Sequence, residues 1–114
     1  WPLHVVFSKE DYIAKNQNTI KAFLRANSRA INWIRANPEE AAQIASKQTK
    51  YKLEYCRKFL EEFQSYWYAD GRMAGKGMNI FWEIAIQAGD VTEVWPEAKW
   101  LDRSFLNTQN QWLK

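Results

Sequence analysis

The chain has 114 residues and a net charge of +3, with acids and bases interspersed. That length fits one small domain able to bury roughly two-thirds of its unfolded surface. The small, scattered basic excess excludes a nucleic-acid partner. The single cysteine, Cys56, excludes an internal disulfide and a cysteine metal site, and no apolar run nears the ~20 residues of a membrane helix.

Residues 3–8, L-H-V-V-F-S, are β-branched at their centre and read as a short strand. His4 lies in it and is weighed as an ordinary strand residue before a ligand contact. Residues 8–15 are a polar connector in which Ser8, Lys9, Glu10 and Asp11 can begin a helical turn. A long amphipathic helix follows over residues 16–36. Ile20, Phe23, Leu24, Ile31 and Ile34 recur at helical spacing with Asn27 on the same stripe, while Lys21, Arg25, Ser28, Asn32 and Arg35 lie mostly off it. Asn16 is placed as its N-cap.

At Asn37-Pro38-Glu39-Glu40 the chain stops one helix and opens another. Pro38 disfavours a helical Asn37 and suits the first helical position. Asn37 is expected to cap the free amides, with Glu40 in the place of a capping-box acid. The helix over 38–48 has Ala41, Ala42, Ile44 and Ala45 on its apolar side, and these small residues allow close helix approach. A third helix over 52–67 carries Leu53, Cys56, Leu60, Phe63 and Trp67 on one stripe, so Cys56 reads as a buried filler and not a nucleophile. Glu61 and Glu62 diverge on a helix and make no acid–base dyad.

Ser65-Tyr66-Trp67-Tyr68 is an aromatic run, weighed as a stacking platform but assigned to packing because no arginine cluster accompanies it in sequence. Gly71, Gly75 and Gly77 with Lys76 have the wrong spacing for a phosphate loop. A fourth helix is expected over 75–88, its first turn loosened by glycine, with Met78, Phe81, Trp82, Ala85 and Ala88 on its apolar side. Ile84 and Ile86 flank that side, and Gly89 serves as C-cap. Residues 90–99 form a loop with Pro96. A short turn or helix is expected over 100–106, and residues 107–114 are polar except for Trp112 and Leu113. The fold class is therefore mainly α: about four amphipathic helices plus a short N-terminal strand, in one domain over residues 1–114.

F-L-R-A-x-x-R-A-I-x-W-I-x-x-N-P-E-E-A-A at residues 23–42 resembles the carboxy-terminal part of solute-binding proteins of ABC importers, in the branch that handles nitrate, sulfonates, taurine and thiamine-type pyrimidines. L-H-V-V-F-S at 3–8, Y-A-D-G-R-M at 68–73, Ala88-Gly89 and L-D-R-S-F-L at 101–106 extend the likeness. The glycines at 75 and 77 depart from that pattern. The resemblance implies a fragment of a two-lobed α/β periplasmic-binding-protein-like type 2 fold, lacking the first lobe's sheet and the second lobe. It implies a small-molecule ligand and an ABC permease as partners of the full-length protein. It also implies a periplasmic or outer-surface location, with the targeting segment upstream of Trp1. The ligand contacts of the family lie mostly upstream, so no catalytic, cofactor, metal or ligand-binding residue is assigned here, and ligand identity stays unknown.

Three functions compete. The first is a solute-binding component of an ABC transporter, captured here as a fragment. The second is an enzyme resembling relatives that make the thiamine pyrimidine with iron and a cysteine-rich motif. One histidine and one unclustered cysteine argue against it, and no cofactor is expected. The third is a stand-alone helical interaction module with no transport role. Seven Trp, six Phe and five Tyr either fill a small core or face partners that this chain does not contain. In the latter case the strand at 3–8, with Val5 and Phe7, is a seam for a homodimer. In the former, Trp1 and Phe7 fold inward and the chain is a monomer.

Overall fold

Pro38 sets the first corner of the molecule. In the computed structural model, which describes residues 6–72 and 75–113 with the side chains of 75 and 76 excepted, α2 (Gln17–Ala36) ends one residue before Asn37, and α3 (Pro38–Thr49) starts on the proline itself. A short α1 (Glu10–Lys15) precedes them. α4 (Leu53–Phe63) follows and runs into a 3₁₀ turn at Gln64–Tyr66. α5 (Gly75–Ala88), a 3₁₀ turn at Glu97–Lys99, α6 (Ser104–Asn107) and α7 (Gln109–Trp112) complete the chain.

Three of the four long helices fall where periodicity and punctuation put them, while the third, expected over 52–67, is α-helical only over Leu53–Phe63 before the chain tightens into the 3₁₀ turn and Trp67 is extended. The strand does not appear among the described residues. Residues 3–5 lie outside them, and Val6, Phe7 and Ser8 are exposed and without regular structure. With Phe7 at 91% exposure, the inward-folding alternative for that side chain is corrected as well. The ordered structure begins at Glu10, where Glu10 and Asp11 favour a helix N-terminus electrostatically.

Both asparagines at the helix boundaries work in the opposite sense to that expected. Neither makes a side-chain N-cap bond to the helix it precedes. Instead, Asn16 Nδ2 donates to the Tyr12 carbonyl at 2.9 Å, and Asn37 Nδ2 donates to the Trp33 carbonyl at 2.9 Å. Each backs up its own main-chain N–H, which bonds the same carbonyl. Both side chains thus add a second donor to a last-turn carbonyl of the helix behind them. The distinction is testable with Asn37→Asp, which retains an N-cap acceptor and removes the amide donor. It is expected to melt below the parent by about 0.5–1 kcal/mol, as Asn37→Ala does. Parent-like stability of the aspartate variant in a urea titration would restore the N-cap reading.

Gly89 terminates α5 as expected. Its φ of +80° is left-handed. Gly89 N–H bonds Ile86 O at 3.1 Å and Asp90 N–H bonds Ala85 O at 3.0 Å, the paired closure of a Schellman motif. Lys50 closes α3 from the same left-handed region, at φ 65°.

The core sits between α3 and α4. Ala41, Ala42, Cys56 and Leu60 are buried there, with Ile34, Ala45, Leu53 and Trp67 packed around them. Cys56 is the buried filler its stripe suggested. Ala42 is completely covered, which lets the two helices approach closely. One ion pair ties the same helices outside the core. Arg57 Nε and Nη2 donate to Glu39 Oε2 and Oε1 at 2.7 and 2.6 Å, and Gln43 adds a bond of 3.1 Å to Oε1.

The hydrogen bonds from Arg57, with that from Gln43, hold the Glu39 carboxyl down at about 2, against an ordinary 4.5. A folded value below the unfolded one means that the stabilisation is fully present above the unfolded value and is lost as pH falls toward the folded one. Unfolding of the parent is therefore expected to become easier as pH drops below about 4.5. Glu39→Gln is expected to flatten that part of the acid profile. Superimposable pH profiles for parent and variant, followed by circular dichroism, would refute the pair's role.

A second centre gathers around α5, where Trp82 and Ala85 are buried. Trp82 packs edge-on to Trp100 at 6.0 Å and tilted against Trp95 at 6.1 Å. Phe81, Ile84, Ile86 and Ala88, expected on or beside the apolar side, are exposed instead. The third region is the C-terminus. α7 docks on α2, where Arg25 Nε donates to the Trp112 carbonyl at 2.5 Å. The Trp112 indole donates to Phe105 O at 2.8 Å, and both aromatic side chains are buried.

That docking shifts the buried line of α2. Ser28 is buried, Lys21 and Arg25 are half-buried, and Phe23 and Asn27 are exposed. Ile20, Leu24, Ile31 and Ile34 of the expected stripe are half-buried, and the covered face extends from them through Lys21, Arg25 and Ser28, which hydrophobicity alone had set off it.

The whole remains open. Accessible surface is 9097 Å², where a compact monomer of 13.6 kDa exposes about 6,600 Å². The radius of gyration is 16.8 Å, against about 13 Å for a compact domain of this length. Among the described residues no large side chain is fully buried.

Candidate functional site

The hollow beside the 3₁₀ turn is assembled by two arginines that are far apart in sequence. Arg35 sits in the last turn of α2 and reaches across to the end of α4. Its Nη2 donates to the Gln64 carbonyl at 3.2 Å and to the Trp67 carbonyl. Both are main-chain acceptors where the helix stops, the Gln64 carbonyl also accepting the Trp67 N–H at 3.3 Å, and a guanidinium is well shaped to take two of them. Arg72 enters from the other side. Tyr68, Ala69, Asp70 and Gly71 form a tight turn closed by Gly71 N–H to Tyr68 O at 3.0 Å. Gly71 there holds a φ of +76° that favours glycine. The turn lays the Arg72 guanidinium 4.8 Å from the centre of the Tyr68 ring and 3.5 Å from Asp70 Oδ2.

Arg35, Ser65, Tyr68, Ala69, Asp70 and Arg72 line a space of about 250 Å³, just under the range of small-molecule sites. Sequence reasoning set aside an arginine cluster at the aromatic run. Folding brings two arginines there, which corrects that reading. The aromatic run also divides. Trp67 packs against the α3–α4 core, whereas Tyr66 is 70% exposed and Tyr68 lies half-buried under Arg72.

Chemically, the hollow offers two guanidinium groups, one carboxylate and two hydroxyls, those of Ser65 and Tyr68. Much of that donor capacity is already engaged by main-chain carbonyls, Asp70 and the Tyr68 ring. It is suited to holding the corner between α2 and α4, and a bound anion would have to compete with those partners. The other residues weighed for function are dispersed. His4 lies outside the described residues, as does the Lys76 side chain, while Gly75 and Gly77 are within α5. Glu62 faces Lys58 at 4.0 Å on the surface of α4. Among the described residues no three metal-ligating side chains converge, and no helix is long and apolar enough to cross a membrane.

A family model described as NMT1/THI5 like matches residues 3–41. The match takes in residues 3–8 and nearly all of the N-P-E-E-bearing segment at 23–42. It stops before Tyr68–Met73, Ala88-Gly89 and residues 101–106, and so covers roughly a third of the chain. It supports kinship with the solute-binding proteins at the level of the family and nothing finer. Neither a curated protein nor a solved structure matches the chain.

Proposed function

We propose that this chain is part of the solute-binding component of an ABC importer, from the carboxy-terminal side of a type 2 two-lobed protein. In the full-length protein it would help to capture a small organic or anionic solute and deliver it to a permease outside the cytoplasm. The reading rests on the match at residues 3–41. The excess of accessible surface supports it, because a segment that belongs against a sheet and a second lobe leaves apolar helix faces uncovered. In this reading the 114 residues are one helical unit without catalytic activity, and they supply scaffold rather than the ligand cleft. The Arg35–Arg72 hollow then acts as a structural corner.

The alternative, a stand-alone helical interaction module, draws on the same exposed faces. Titration calorimetry distinguishes whether the site is complete within these residues. Nitrate, sulfonates and thiamine precursors are expected to give no heat beyond dilution with the 114-residue chain, and micromolar binding when the chain is extended by the residues that precede it. Micromolar binding by the 114 residues alone, or none by the extended protein, would overturn the proposal.

A further inference from the structure

We draw no further inference here: the strongest candidate, the exposed aromatic face of α4 with Tyr55, Phe59 and Phe63, carries nothing because its neighbouring charges are already paired within the chain, Lys58 with Glu62 at 4.0 Å and Lys52 with Glu54 at 3.9 Å, and nothing in the structure shows what covers it.

Discussion

Trp112→Ala is expected to be the most damaging single substitution, at about 3–4 kcal/mol, within the range for removing a buried tryptophan. The indole is 5% exposed and donates to the Phe105 carbonyl at 2.8 Å. Its removal leaves a void and an unsatisfied acceptor together. The Trp112 main chain also receives Arg25, so loss of the ring frees α7 to lift from α2 and expose Ser28. A stability of about 5–15 kcal/mol is usual for a domain, so this loss would take a large part of it. Urea unfolding followed by circular dichroism checks the magnitude. A loss below about 1 kcal/mol, the level of a surface change, would mean that the C-terminal helices add little to the fold.

Leu60→Ala is expected to cost about 2–3 kcal/mol, the lower part of the range for such truncations. Leu60 belongs to the small cluster with Ala41, Ala42 and Cys56, and it is 7% exposed. Ala42 opposite has no side chain able to fill the space. The cost stays moderate because the cluster is shallow and its rim, including Ile34 and Trp67, can settle inward. Thermal unfolding of Leu60→Ala against the parent measures it. Equal melting temperatures would place the core elsewhere than between α3 and α4.

The helices were legible because local rules sufficed for them. Pro38 fixes a boundary through its own ring, Gly89 through its left-handed φ, and the Leu53–Cys56–Leu60 spacing through periodicity. What escaped was set by contacts distant in sequence. The stripe on α2 was read as Ile20, Phe23, Leu24, Ile31 and Ile34 with Asn27, of which Phe23 and Asn27 are exposed and the other four half-buried. The buried line passes through Arg25 and Ser28 because α7, almost ninety residues on, docks there. Asn16 and Asn37 have side chains able to accept or donate, and composition does not tell which helix end claims them. The hollow escaped for the same reason: Arg35 and Arg72 meet only after α4 turns the chain back. Its one local signal was the Asp70-Gly71-Arg72 turn, which fixes where Arg72 is presented but not what lies opposite.

The exposed aromatics carry a different lesson. Phe63 and Phe81 sit on or beside apolar stripes and are 40% and 39% exposed. Periodicity identifies a face that needs cover, without saying whether the same chain provides it. In the reading proposed above, much of that cover comes from parts of the protein outside these residues.

Reading the coding frame upstream of Trp1 tests the central claim most directly. The account predicts that the frame continues for roughly 200 residues, the scale of the missing lobe and sheet, with strand-rich sequence of the same solute-binding family. A start codon immediately before Trp1, with no such sequence ahead of it, would contradict the account and leave a stand-alone helical module.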